Sequence, residues 1–201
     1  MIPSNILIGT PVWACDGDIC AGYDPLPQLV EVENSFNRIP SQLEAQLWAD
    51  TSPENLTINV KAFRLFSGHP VSSPLLPRDI AAELSAHFSA SRSLLYEDIP
   101  EEIRAELWRR FNEGIGRLRL ASKLGLVHFQ FAPRVDCTSA WRAHIVECQE
   151  QLPGCMLVIE FRHSSWLEGR QREQTLAFLR ERNLGHVVQN DPQGCRESSS
   201  V

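Results

Sequence analysis

Short apolar runs alternate with longer segments of helical periodicity along most of the chain, and this alternation limits the fold more than any other feature of the sequence. It is typical of βαβ units, whose strands form a parallel sheet. The apolar runs predict six strands, at residues 6–10, 29–33, 56–62, 125–131, 156–162 and 185–188. The sequence therefore predicts an α/β fold with a largely parallel sheet.

Three of the intervening segments carry helix signals. Residues 41–49 begin with Ser41, and Glu44 follows at the spacing of a capping box. Residues 100–120 begin with a proline and two glutamates and then repeat apolar residues every three or four positions. Residues 169–183 have one apolar and one charged face and lead to Gly185, which is expected to help end the helix. Residues 11–27 show no helical periodicity, and the Pro- and Ser-rich residues 66–77 predict a loop.

Charge and composition exclude several classes of function. The formal net charge is −6, so the chain has no overall basic field, and nucleic acid is not an expected partner. No apolar run approaches the roughly 20 residues that span a bilayer, and the N-terminus lacks the pattern of a signal peptide. We therefore expect a cytoplasmic protein without membrane contact. The six cysteines include no Cys-x-x-Cys pair, so neither a zinc knuckle nor a thioredoxin-type redox site is indicated.

Several segments occur in an order that resembles a known family. They are IGT near the start, VEVENSFNRIP (30–40), VKAFRLFSGHP (60–70), KLGLVHFQFAP (123–133), VIEFRHSSW (158–166) and NDPQG (190–194). These segments resemble the YecE-like family, also called domain of unknown function 72, over nearly the whole chain from residue 29 onward. The resemblance implies a TIM-type (β/α) barrel and no settled biochemical activity.

The chain departs from the family pattern at two places. Family members usually carry a helix before the VE strand, and residues 11–27 are too short and irregular to match it. A full barrel takes about 250 residues, and the family continues beyond the DPQG segment, whereas this chain stops at CRESSSV. We therefore expect a single domain over residues 1–201 that forms an incomplete, C-terminally truncated barrel of about six strand–helix units, with the last two missing.

Polar residues share one face of each of the four strands from the second to the fifth. Because side chains alternate along a strand, polar residues two positions apart lie on the same face. Buried parallel strands are usually apolar throughout, so this polar face predicts that the side chains meet at the C-terminal mouth of the barrel, where TIM barrels carry their sites. The pairs are Glu31 with Glu33, Asn59 with Lys61, His128 with Gln130, and Glu160 with Arg162.

Seven residues near this mouth also fall on positions of the family pattern and are the candidate site. We assign catalytic roles to Glu31, Lys61, Glu160 and His163, and substrate-binding roles to Gln130, Arg162 and Asp191. Arg162 can hold a carboxylate or phosphate with two hydrogen bonds, and Lys61 adds a second positive charge. His163 suits a proton shuttle, although it is equally compatible with a cap on the following loop. His128 is more typical of a hydrogen-bonded core histidine.

These groups suit an enzyme that acts on a small anionic metabolite by acid–base or metal-assisted chemistry. Three alternatives stay open: a non-catalytic ligand- or nucleic-acid-binding protein, an inactive truncated fragment, and a charge network that only neutralises a polar barrel interior. Glu31, Glu160, His163 and Asp191 suit a divalent metal. No close-spaced ligand motif is present, so we assign no metal ligand, and the cofactor stays open. Five arginines in residues 100–120 form either a phosphate-binding face or, with the intervening glutamates, a solvated one.

Overall fold

Six parallel strands and five helices make up the computed structural model, which describes residues 7, 9–12, 28–86, 88–89 and 92–188. The strands are β1 (Gly9–Val12), β2 (Leu29–Val32), β3 (Thr57–Lys61), β4 (Leu124–Gln130), β5 (Leu157–Glu160) and β6 (Gly185–His186). The helices are α1 (Gln42–Thr51), α2 (Arg78–Ser85), α3 (Glu101–Leu120), α4 (Ser139–Gln151) and α5 (Gly169–Glu181).

The strands lie in the sheet in the order in which they occur in the chain. Each pairs in parallel with the next, so that Val32 is opposite Val60 and Gln130 is opposite Glu160. Sequential parallel pairing with helical crossovers is the arrangement of the (β/α) barrel. The structure is an incomplete TIM-type barrel, which confirms the predicted fold class.

The two faces of the sheet carry different side chains. In β4, the buried Val127 and Phe129 alternate with His128 and Gln130, and the latter two line a cavity on the opposite face. The ring of Phe129 lies 6.4 Å from that of Trp108 in α3, so the apolar face packs against the helices. Trp108 in turn stacks on Phe66 at 3.6 Å. The main apolar core therefore lies between the sheet and the helices, and the polar residues line the interior of the barrel.

Helices α1 and α3 form as predicted. The side chain of Ser41 accepts a hydrogen bond from the backbone N–H of Glu44, and the Glu44 carboxylate accepts one from the Ser41 N–H, which confirms the capping box. In α3, all the apolar residues of the predicted stripe are buried. Helix α5 ends differently from the prediction: Asn183 takes the left-handed conformation at φ 53°, and Gly185 already belongs to β6.

Helices α2 and α4 were not predicted from the sequence. Helix α2 is only eight residues long and buries Ile80 and Leu84, and α4 buries only Ile145 and Cys148, so neither carries a long apolar stripe. The predicted loop at 66–77 contains parts of two short 3-10 turns. Strand β1 begins three residues later than predicted and runs to Val12. Residues 13–27, for which the sequence predicts no helix, and Asp191 lie outside the described residues.

Candidate functional site

The C-terminal ends of β2 to β5 bring the polar side chains together around one cavity. Its volume is about 350 Å³. It contains five of the seven residues predicted from the sequence: Glu31, Lys61, Gln130, Glu160 and Arg162. The other lining residues are Gly9, Thr10, Leu29, Glu33, His128 and Val187. The alternation of side chains along the strands therefore places these five side chains in one cavity.

His128 lies between two carboxylates at the centre of this cluster. Its Nδ1 donates to both oxygens of Glu31, at 3.0 and 3.1 Å, and its Nε2 lies 3.0 Å from Oε2 of Glu160. The Glu160 carboxylate is off the line of the Nε2–H bond, so that contact is an ion pair without good hydrogen-bond geometry. His128 and Glu160 are 5% and 3% exposed, so this charged pair is almost fully removed from water.

The surroundings of the three groups favour a positively charged imidazole between two negative carboxylates. Burial alone would lower the pKa of His128, but the contacts with Glu160 and Glu31 outweigh it and raise the pKa to about 9. Burial opposes ionisation of Glu31 and Glu160, yet contact with His128 keeps the pKa of each carboxyl below its usual value. The cluster therefore holds an imidazolium and two carboxylates at neutral pH.

Lys61 supplies a second positive charge beside this cluster. Its Nζ lies 3.0 and 3.2 Å from the two oxygens of Glu33 and 5.5 Å from the centre of the Phe36 ring. The hydroxyl of Ser35 donates to the carbonyl oxygens of Val32 and Lys61, at 2.8 and 2.7 Å. The turn that carries Glu33 and Phe36 is thus tied to the end of β3.

Arg162 and Gln130 present polar groups to the cavity that other described residues do not use. The Nε of Arg162 contacts Oε1 of Glu160. Among the described residues, none pairs with the two terminal nitrogens of Arg162 or with the side-chain amide of Gln130. These donors are therefore available to a ligand in the cavity.

His163 does not line the cavity. Its Nδ1 accepts a hydrogen bond from the backbone N–H of Ser165 at 3.2 Å and lies 2.8 Å from the Ser165 hydroxyl, so the ring caps the turn Ser164–Trp166. This is the capping arrangement that the sequence analysis left open beside a proton shuttle. Asp191 lies outside the described residues, and its role stays a prediction.

Of the metal-ligand set considered from the sequence, three members lie in the described part of the chain and Asp191 does not, and the structure does not bring those three together. Glu31 and Glu160 lie in the cavity and His163 caps a turn, and the described part of the chain contains no group of three or more His, Cys, Asp or Glu residues placed to hold a metal ion.

The arginines of α3 mostly have partners on the protein surface. Arg109 pairs with Glu106 and Glu113, and Arg110 pairs with Glu106 and Asp79. A groove of about 630 Å³ between α1 and α3 includes Arg117, whose guanidinium donates to the side chain of Gln42. These contacts are those of a solvated helix face.

His128 lines the cavity although no functional role was predicted for it from the sequence. It is buried and has partners, as expected of a core histidine, but those partners are two carboxylates and it lines the cavity. The available signal was its position on the same face of the strand as Gln130.

The raised pKa of His128 predicts that stability falls with rising pH. A group whose pKa is higher in the folded state contributes stability below its unfolded pKa and loses that contribution as the pH rises through the folded value. Between pH 6.5 and about 9, we expect the free energy of unfolding to fall by about 2–3 kcal/mol. Urea unfolding at several pH values in this window measures the change. In His128→Gln the decline should be largely absent, and an equal decline in that variant would contradict the assignment.

None of the described helices is both long and apolar enough to cross a membrane.

Two solved structures that resemble this one agree with the barrel fold. A crystal structure of a DUF72 family protein from Enterococcus faecalis V583 matches with a TM-score of 0.68 and 20% identity, over 94% of this chain and 66% of that one. A DUF72 family protein from Thermotoga maritima MSB8 matches with a TM-score of 0.53 and 18% identity, over 84% of this chain and 53% of that one. At these identities the likeness shows the fold.

The sequence comparisons show the family. The chain is 26% identical over 165 residues to the UPF0759 protein YunF of Bacillus subtilis (strain 168), a match that covers 82% of this chain and 50% of that protein. The chain thus spans about half the length of this curated relative. Residues 21–200 match the family described as "Protein of unknown function DUF72". The family predicted from the segment order is thereby confirmed, and the chain belongs to the DUF72 family.

Proposed function

We propose that the cavity at the C-terminal ends of the strands binds a small anionic metabolite and that the protein acts on it by acid–base chemistry. The observation that supports this most directly is the set of unused donors of Arg162 and Gln130, which face the same cavity as Lys61 and His128. A guanidinium whose two terminal nitrogens have no partner among the described residues suits a carboxylate or phosphate, which it can bind with two parallel hydrogen bonds.

In this proposal Arg162, Lys61 and Gln130 bind and orient the ligand. His128 is the proton donor, because at neutral pH it is the protonated group of the cluster. Glu31 and Glu160 hold its ring from both sides and stabilise its charge. His163, which caps the turn after β5, has a positioning role for the segment that follows Arg162.

One observation favours a second candidate, a protein that binds the same ligand without converting it. An efficient acid or base has a pKa near the working pH. Here the pKa of His128 is about 9, and those of Glu31 and Glu160 lie below their usual value, so all three are displaced from neutrality. Incubation with a mixture of small carboxylates and phosphate esters, followed by mass analysis of retained and released compounds, distinguishes the candidates. A retained compound that stays unchanged supports binding alone, and a new mass supports the enzyme.

We also propose that the protein is cytoplasmic. Cys137, Cys148 and Cys155 are free thiols in the described part of the chain. Free cysteines are usual in reducing compartments.

The binding proposal predicts that Arg162→Ala weakens the binding of inorganic phosphate, used as the simplest anionic probe, by about 10- to 100-fold, because charge-assisted hydrogen bonds contribute about 1.5–3 kcal/mol each. Isothermal titration calorimetry at pH 7 measures the affinity. Arg117→Ala is the matched control, since it removes the same charge from the outer face of α3, and it should bind as the wild type does. Equal weakening in both variants, or none in Arg162→Ala, would refute this cavity as the binding site.

A further inference from the structure

The Glu33 carboxylate accepts hydrogen bonds from Lys61, and the proposed ligand would need the same donors. Glu33 lies directly after β2 and lines the cavity, and both of its carboxylate oxygens contact Nζ of Lys61. We propose that Glu33 is an internal competitor for the anionic group of the ligand at Lys61, and that it thereby sets which ligands bind. This inference rests on the proposed function. The class of ligand group it implies is an oxyanion, such as a phosphate or carboxylate, that replaces the Glu33 carboxylate.

Groups other than Glu33 also contact Lys61. Its backbone carbonyl accepts a hydrogen bond from Ser35, and its ammonium lies 5.5 Å from the Phe36 ring, a distance suited to a cation–π contact. The charge of Lys61 also helps to lower the pKa of Glu31 and Glu160, so these carboxylates are close enough to attract it. Removal of the Glu33 carboxylate therefore leaves a charged lysine that faces the cavity.

The Glu33 side chain is placed to leave while its backbone stays. The side chains of Glu33 and Lys61 are 21% and 11% exposed, so the carboxylate is the partner with more access to water. Ser35 ties the turn to β2 and β3, which fixes the backbone near Glu33. Displacement then needs a rotation of the side chain, and a ligand must overcome the attraction between Glu33 and Lys61 and the contact of Glu33 with Glu31.

The test is Glu33→Gln titrated with inorganic phosphate by calorimetry at pH 7. We expect the affinity for phosphate to rise about tenfold, while the stability to urea falls because the ion pair is lost. A purely structural role would lower stability without a gain in affinity. Glu54→Gln is the matched control: it changes the net charge equally, but it precedes β3 and lies at the opposite end of the barrel. It should leave phosphate binding unchanged.

Glu33→Asp is a second variant in case Glu33→Gln does not fold. It keeps the charge but shortens the side chain by one methylene, and we expect a smaller gain in affinity. If the wild type binds phosphate and neither Glu33 variant binds it more tightly, the competitor role is wrong and the proposed function stands. If the wild type and both Glu33 variants bind no phosphate, or if Arg162→Ala binds as the wild type does, the proposed function fails and this inference fails with it.

Discussion

Replacement of His128 by leucine is expected to lower the free energy of unfolding by about 3–5 kcal/mol, the usual cost of leaving a buried charge without its partner. The imidazolium lies within 3.0 Å of both Glu31 and Glu160, and Glu160 is 3% exposed. Leucine fills similar space but removes the positive charge between the two carboxylates, so Glu31 loses its imidazolium partner and Glu160 keeps only its contact with Arg162. Chemical denaturation of the full chain at pH 7 measures the loss.

A triple variant serves as the control for this prediction. With Glu31→Gln and Glu160→Gln added to His128→Leu, the two negative charges that faced the imidazolium are removed, and most of the lost stability should return. If His128→Leu is as stable as the wild type, the two carboxylates do not depend on the imidazolium. If the triple variant is as unstable as the single one, the loss comes from packing and not from charge.

Gly114→Ala is expected to destabilise the protein by about 3 kcal/mol, because α3 passes too close to the loop before α1 for a side chain. A Cβ at Gly114 would lie 2.2 Å from the carbonyl oxygen of Pro40. This neighbour is backbone, so the helix or the loop must shift. The change in the midpoint of thermal or urea unfolding measures the effect.

Gly116→Ala in the same helix is the matched control. A Cβ there meets nothing within 4 Å. Because alanine favours helix by about 1 kcal/mol over glycine, Gly116→Ala should be neutral or stabilising. Similar losses for the two variants would show that a general disruption of α3, and not the contact with Pro40, controls the result.

The part of the fold and site that could be predicted depends on local periodicity. Alternation along single strands is enough to place Glu31, Lys61, Gln130, Glu160 and Arg162 in one cavity, because the side-chain period of two holds for every strand. The capping box of α1 and the apolar stripe of α3 likewise depend only on residues within one segment. Helix α4 was missed because it buries only Ile145 and Cys148.

The contacts that could not be predicted depend on register between distant strands. His128 meets Glu31, which is 97 residues away, only because β2, β3 and β4 align in the observed register. His163 follows a strand end and therefore looked like a mouth residue. Trp166 fixes the turn Ser164–Trp166 that follows His163. Its indole N–H donates to the carbonyl oxygen of Val135 at 2.8 Å, and its ring stacks on Phe161 at 4.2 Å. The His163 ring therefore caps this turn.

The two outermost strands bound the same cavity without pairing with each other in the described part of the chain. Gly9 and Thr10 of β1 line it from one side and Val187 from the other. Backbone hydrogen bonds set the spacing of paired strands at about 4.8 Å, so the wall that carries the charged cluster has a fixed width. The opposite wall has no such ladder among these residues. The imidazolium and its carboxylates therefore keep the spacing that the ladder from β2 to β5 sets.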